Sequence, residues 1–237
     1  MDKWSDIWRK KDIPSSEHNN LQSLITANGF DTGVGSYDEK SWQELVFDFY
    51  KRTNLKKNHS ILELGCGSGA FLLSLNRLVN AKIYGIDYSP NLISIAKSAI
   101  PNGRFIVSEV NSRAFKDIKF DIIFSHSVFQ YFSTINYANK VLEIWTKQIK
   151  LGGRLVLLDL NDKNKEENYH KERMKAYRNP KEYFDAYEGL NHLFFNIDEL
   201  KKTLKSFGME HIEVFPHAIN NYGNANFRFN LICKKVN

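Results

Sequence analysis

Cysteine is scarce in this chain: Cys66 and Cys233 are the only two in 237 residues, and neither has a nearby partner from which a disulfide framework could be built. No Cys or His stands at zinc-ligand spacing, so no metal is expected. Both cysteines read as small packing residues, Cys66 inside a glycine loop and Cys233 between apolar neighbours near the C-terminus. Long hydrophobic runs are missing too, and none approaches the ~20 residues that a membrane helix needs. The opening Met1, Asp2, Lys3, Trp4 lacks the basic-then-apolar layout of a secretory signal. A cytoplasmic protein with no membrane partner is therefore expected. Repeats of fixed period are absent. Lys and Arg number 33 against 27 Asp and Glu, a net charge of +6, but the densest charged stretches, Lys3 to Lys11 and Asp162 to Lys175, interleave both signs. Without a continuous basic track, nucleic acid is not expected as a partner.

What the chain does have is apolar material, at 42% hydrophobic and 14% aromatic residues, enough for one domain with a full core. Residues 1–58 read as a helical cap: Trp4 and Trp8, then Leu21 with Leu24 and Ile25, then Trp42, Leu45, Val46 and Phe49 recur at helical spacing. Between the last two patterns, Asn28 to Ser36 is a loop by composition. Its glycines permit hinge motion, and Phe30 or Tyr37 could shield a reacting group from water. Deleting residues 1–37 is expected to abolish turnover while leaving the sheet folded.

From Ser60 the pattern changes. Ile61 to Leu64 is a short strand, followed by the glycine turn Gly65 to Gly69 and a helix carrying Phe71, Leu72, Leu75 and Leu78. Ile83 to Ile86 is the next strand, ending at Asp87. A helix runs from Pro90, well placed in a first turn, to Ile100. Phe105 to Val107, Phe120 to Phe124 and Arg154 to Leu158 read as further strands, with a helix over Ile135 to Ile149 and Gly152 and Gly153 turning the chain into the last of them. Strands alternating with helices predict an α/β fold with a mostly parallel sheet. A polar and then aromatic stretch at 161–196 reads as an insertion in the domain 59–237. A helix from Ile197 to Phe207 follows, then a strand from His211 to Phe215. A final strand alternates Phe227, Phe229, Leu231 and Cys233 against Asn226, Arg228, Asn230 and Ile232.

Glycines between a strand and a helix let backbone N–H groups approach a ligand closely. Gly65, Gly67 and Ala70, with an acid at Asp87, also fit a dinucleotide fingerprint, so spacing alone leaves a nicotinamide cofactor open. Glu63 separates the two readings. A diphosphate would meet its negative charge, at on the order of 1–4 kcal/mol per close contact, whereas an acid there suits a cationic cofactor.

Four stretches in order, Ile61 to Leu72, Gly85 to Ser89, Phe120 to Ser125 and Leu151 to Val156, resemble the motifs of class I S-adenosylmethionine-dependent methyltransferases. The resemblance covers about residues 59–160. It implies a Rossmann-like seven-stranded sheet with an antiparallel last strand, and S-adenosylmethionine as cofactor. Carried over position by position, it implies that Gly65, Cys66, Gly67 and Gly69 line the methionine and ribose, with Glu63 near the amino group. Asp87 would hold the ribose hydroxyls and Tyr88 pack on the adenine. Glu109, Val110 and Asn111 are the candidates around the adenine amine, and Ser125 and His126 would close the methionine side. More loosely, the chain resembles bacterial methyltransferases that tailor surface sugars or their phosphoramidate decorations, which implies O-methylation of a small molecule in capsule polysaccharide synthesis.

A hydroxyl acceptor needs a base. His126, after the fourth strand, is the first candidate, against the alternative that it only bonds backbone or orients the cofactor; His192 and His217 are rivals. Tyr131 is either a polar contact or a ring packed under the next helix. The aromatic run Tyr183 to Phe195 is either a lid over the acceptor or a contact in a homodimer. Arg173, Arg178 and Arg228 are candidate anchors for an anionic acceptor, and the polar loop Asn220 to Asn226 could reach the same pocket. An RNA or protein methyltransferase, a nicotinamide-dependent oxidoreductase and a non-catalytic cofactor-binding protein remain the alternatives.

Overall fold

The computed structural model describes residues 3–30, 36–217, 219 and 222–236. Most of the loop expected at Asn28 to Ser36 thus lies outside the described residues, as do Asn220 and Asn221. Three helices come first: α1 (Lys3–Arg9), α2 (Leu21–Ala27) and α3 (Glu39–Thr53). Side-chain caps set the starts of the second and third. Asn20 accepts from the Ser23 N–H at 3.1 Å and Asp38 from the Ser41 N–H at 2.7 Å, each satisfying a donor that the first turn leaves open. The helical spacing read from the sequence is realised in α3, where Trp42, Leu45, Val46 and Phe49 are all buried. By contrast, α1 buries nothing.

The sheet has β1 (Ser60–Leu64), β2 (Lys82–Asp87), β3 (Arg104–Val107), β4 (Phe120–His126), β5 (Ile149–Asn161), β6 (Met209–Pro216) and β7 (Arg228–Lys235). Their order is β3-β2-β1-β4-β5-β7-β6. Pairs from β3 across to β5 are parallel, and β7 is antiparallel to both β5 and β6. The expected seven-stranded, mostly parallel architecture is therefore present. Helices α4 (Ala70–Leu78) and α5 (Pro90–Ala99) pack with α2 and α3 in one hydrophobic cluster. Helices α6 (Ile135–Thr146) and α9 (Ile197–Ser206) contribute to the cluster on the other face. The 161–196 segment forms α7 (Glu166–Met174) and α8 (Pro180–Ala186).

Three local expectations change. β5 starts at Ile149, and Gly152 and Gly153 lie within it as an irregularity where the pairing with β4 shifts between Phe120 and Ile122. A Cβ on Gly153 would stand 2.8 Å from the Asp121 carbonyl oxygen, so glycine there permits close strand approach, not a turn. The alternation in β7 does not sort polar from apolar exposure: Arg228 through Cys233 are all buried, because the strand lies between two others with both faces covered. Finally, removing residues 1–37 would take out Leu24 and Ile25, which are fully buried in the cluster shared with the sheet. At about 1.5–3 kcal/mol for each buried aliphatic chain, that deletion threatens the fold itself.

Strand order reverses between β1 and β4, and open α/β sheets bind ligands in the crevice outside the carboxyl ends of strands at such a point.

Candidate functional site

The turn from β1 to α4 forms the floor. Gly65, Gly67 and Gly69 have φ of +72°, +51° and +81°, a region L-residues rarely occupy. Space excludes side chains here as well: a Cβ on Gly65 would come within 2.5 Å of Val128 Cγ2, and one on Gly67 would run into Asn28 Oδ1. The N–H groups of Gly65 and Cys66 donate to the Ile86 carbonyl at 2.8 and 3.0 Å, tying the turn to β2. Ser68 N–H donates to Asn28 Oδ1 at 2.8 Å, and its hydroxyl to the Leu24 carbonyl at 2.8 Å. The α2 terminus is thereby locked onto the turn, a contact the sequence did not announce.

Two buried acids flank this floor. Asp87 accepts from Gly67 N–H at 3.0 Å and Ser89 N–H at 2.8 Å, yet burial outweighs these bonds and pushes its carboxyl up to about 6. Glu63 is 3% exposed and its Oε2 has no hydrogen-bond partner among the described residues. Burial, and then the charge of Asp87, hold Glu63 well above the ordinary carboxyl range. Isolated buried carboxylates are costly, so the pair is an environment that gains from a cation or from hydroxyl donors.

Glu63, Gly65, Gly67, Asp87, Tyr88, Glu109, Val110, His126 and Tyr131 line one cavity of about 400 Å³, within the range of small-ligand sites. The structure thus brings together most of the residues singled out in the sequence. Cys66, Gly69, Asn111, Ser125 and His192 are not among its walls. The Cys66 thiol turns inward, where a Cβ on Gly85 would meet its sulfur at 2.7 Å; Gly69 is the N-cap of α4; and the Ser125 hydroxyl donates to the Leu64 carbonyl at 2.9 Å. Val110 is held from behind, its carbonyl accepting from the Trp145 indole. Trp4, Ser5, Trp8 and Arg9 of α1 supply a further wall, although nothing in their spacing pointed beyond a helix. Arg9 lies over the Tyr88 ring, 5.3 Å from its centroid.

His126, at the end of β4, sits among aromatic rings. Phe30 stacks on it at 5.2 Å, with Trp42 and Phe71 each 5.4 Å away. Burial lowers its pKa to about 4, so the ring is neutral at pH 7, and Nε2 has no partner among the described residues. His192 lies behind the cavity wall, bonded through Nδ1 to the Tyr169 hydroxyl at 2.9 Å and stacked on Trp4. Burial lowers its pKa to about 3. Tyr131 packs edge-on to Trp4 and Trp8, its phenol raised to about 12 by burial.

His217 belongs to a separate buried cluster, bonded to the Tyr37 hydroxyl at 2.9 Å and 3.8 Å from Asp159. In the same cluster, Arg228 Nε stands 3.6 Å from Asp159 Oδ1. Asp159, which no sequence motif marks, also accepts from the Ser127 and Tyr222 hydroxyls at 2.6 and 3.1 Å. The insertion forms its own aromatic assembly: Arg173 donates to the Tyr187 hydroxyl at 2.6 Å and His170 pairs with the Tyr183 hydroxyl. None of Tyr183 to Phe195 lines the cavity, and Arg178 is exposed.

A family model described as a methyltransferase domain matches residues 55–208. The chain is 36% identical over 101 residues to malonyl-[acyl-carrier protein] O-methyltransferase 1 of Ilyobacter polytropus, covering 36% of this chain and 37% of that protein. It is 27% identical over 169 residues to phosphoethanolamine N-methyltransferase of Plasmodium falciparum, covering 68% and 62%. With demethylmenaquinone methyltransferase of Thermotoga maritima it shares 30% identity over 146 residues, covering 61% and 58%. The match thus spans between about a third and just under two thirds of these relatives' lengths. Among solved structures, phosphoethanolamine N-methyltransferase 2 of Haemonchus contortus superposes with a TM-score of 0.64 at 14% identity, covering 96% of this chain and 61% of that one. A methyltransferase from Clostridium acetobutylicum gives 0.64 at 14%, covering 90% and 98%. At such identities the likeness is one of fold. The fold, the glycine floor and the order of the motifs agree: the chain belongs to the methyltransferase-domain family, with its class I Rossmann-like architecture.

Proposed function

We propose that this chain transfers a methyl group from S-adenosylmethionine to a small-molecule acceptor, and that the acceptor atom is an oxygen of a sugar, a phosphoramidate or a related metabolite. One observation carries the reading: two buried carboxyls, one with an unpartnered oxygen, flank a glycine floor in a cavity of about 400 Å³. The residues fit the cofactor's chemistry. Glu63 Oε2 offers an acceptor to an ammonium, Asp87 offers its carboxylate to ribose hydroxyls, and Tyr88, Leu92 and Val110 offer apolar surface to a base. A diphosphate would raise the cost of both acids further, which disfavours a nicotinamide dinucleotide.

S-adenosylmethionine, when bound, supplies a methyl already activated on a sulfonium. The chain's own contribution is then to position and to exclude water. Trp4, Trp8 and Phe30 cover the cavity with apolar surface. Holding an acceptor in line supplies roughly 7–11 kcal/mol of the barrier reduction. His126, neutral and with Nε2 free of partners among the described residues, can take the proton from a hydroxyl acceptor, a contribution of ~10²–10⁴-fold.

The relatives are named for different acceptors, so kinship supports the class of reaction and leaves the acceptor to experiment. Calorimetry with S-adenosylhomocysteine and, separately, NADH tests the cofactor; heat with NADH alone would overturn the reading. Thermal shift in the presence of S-adenosylhomocysteine, across nucleotide sugars, phosphoramidates and amines, tests the acceptor, since a ligand of the native state raises its stability. Stabilisation by amines alone would displace the oxygen acceptor.

A further inference from the structure

The carboxyl ends of β4 and β5 carry an unusual pair. Ser127 and Asp159 follow the paired residues His126 and Leu158, and both are non-glycine residues in the left-handed region, with φ of +57° and +64°. Left-handed backbone crowds the Cβ of an L-residue, and such positions persist only where surroundings over-determine them. Here the surroundings are identifiable. Asp159 sits where the β5–β7 pairing shifts register between Leu157 and Leu160, a bulge of the kind that re-aims a side chain. Its N–H leaves the ladder and donates to Asn230 Oδ1 at 2.8 Å. The carboxylate, fully buried, turns toward β4 and accepts the Ser127 hydroxyl at 2.6 Å.

We infer that Asp159 is a positioning residue for the methyl-transfer site, holding Ser127 in its left-handed turn and, through that turn, setting the cavity wall; this rests on the cofactor reading above. Ser127 joins two wall residues. On one side is His126; on the other is Val128, whose Cγ2 occupies the space above Gly65 that a side chain there would need. If Ser127 left its turn, Val128 would swing off the glycine floor and His126 would lose its bearing among the rings. Asp159 must be ionised to make the strong form of this bond. Burial acts against that, but the Arg228 guanidinium 3.6 Å away brings the carboxyl below its usual value. Tyr222, which donates to the same carboxylate oxygen, and the neighbouring His217, bonded to Tyr37, enclose the group from the segment before β7 and from the chain preceding α3. Asp159 does not itself line the cavity, and its hydrogen bond to the wall is the one from Ser127.

The test is Asp159→Asn, with and without Ser127→Gly, read by calorimetry with S-adenosylhomocysteine. Asparagine can accept the Ser127 hydroxyl only as a neutral group, and losing the charge assistance, about half of the bond's strength, predicts about tenfold weaker binding in Asp159→Asn. Glycine adopts the left-handed turn without the bond, so Asp159→Asn/Ser127→Gly should recover to within about threefold of wild type. Wild-type affinity in Asp159→Asn, even with a lowered Tm, would overturn the inference and reduce the residue to a structural strut. Failure of glycine to rescue would overturn it too. If Asp159→Asn does not fold, Ser127→Ala takes its place, with the same tenfold loss expected and unchanged affinity refuting. A crystal structure of the folded variant without ligand supplies a readout independent of the cofactor: residue 127 should leave the left-handed region, and an unchanged turn would refute the inference. Absence of binding by the wild-type protein would instead reject the cofactor reading, and the geometry would decide alone.

Discussion

Asp87 makes the ligand-free protein less stable as pH rises through the range in which most proteins gain stability, and the size of the effect follows from the site. Its carboxyl rises from an ordinary 3.8 to about 6 because burial outweighs the two N–H bonds it accepts. A carboxyl with a raised folded-state value binds its proton more tightly in the native state. The stability it contributes is full below the unfolded value and is lost as pH climbs through the folded one. At 1.36 kcal/mol per unit the loss between pH 4 and pH 7 is about 3 kcal/mol, or ~6–12 °C in Tm for a chain of this size. Other groups titrate in the same window, so the useful quantity is the Tm of wild type minus that of Asp87→Asn. The asparagine's lost hydrogen bond is independent of pH and cancels when that difference is compared across pH. Glu63, which feels the charge of Asp87, moves the result in the same direction. Scanning calorimetry on ligand-free protein at half-unit steps should show the difference growing more negative toward pH 7. A difference flat to within about 1 °C would refute the claim that Asp87 lies buried and unneutralised.

Ligand binding should show the complementary dependence. If ionised Asp87 accepts the ribose hydroxyls, affinity for S-adenosylhomocysteine falls by up to tenfold per unit as pH drops below about 6, which titration calorimetry at pH 5 and 7 reads directly. Gly67→Ala should weaken that ligand by at least tenfold and cost about 1–2 kcal/mol of stability, because the added Cβ collides with Asn28 Oδ1 at positive φ; denaturant titration and calorimetry report the two effects, and a variant behaving as wild type would remove the floor from the argument. His126→Ala should lower turnover on a hydroxyl acceptor by ~10²-fold or more, with a wild-type rate that declines only as pH approaches about 4; a loss below tenfold at pH 7 would demote the ring to packing. Removing residues 1–11 takes away α1, which buries nothing of its own but walls the cavity, so the truncated chain should keep its Tm within a few degrees and lose turnover.

Some of this molecule is legible in the sequence. The β1–α4 turn could be read because its chemistry is local: a strand, three glycines and a helix within twelve residues permit the tight turn and close backbone approach that a ligand needs. Asp87 could be placed for the same reason, one strand later. The five strands of the parallel half followed from period and punctuation, except that β5 begins five residues before the expected Arg154. The alternation in β7 reports the side to which a residue points, and not what covers that side. Arg228 and Asn230 are buried among Asp159 of β5, Tyr169 of α7 and the end of β6, which the alternation of one strand does not report.

The cavity's outer wall and its end wall lay beyond reach for a like reason. Trp4 and Trp8 face the site only because α1 lies against Tyr131 and Tyr88, and Asn28 matters only because α2 ends over Ser68. By composition the aromatic insertion reads as a lid or a dimer contact; its rings pair with one another and, through His192, with Trp4 and Tyr131, and none of Tyr183 to Phe195 lines the cavity. The sequence alone determined the fold class, the glycine floor and the two acids beside it, since each follows from the order and spacing of successive strand, turn and helix segments. Tertiary structure decided which rings close the cavity, which histidine faces it and that Asp159 braces its wall, since those contacts form only where distant segments are packed and dehydrated together.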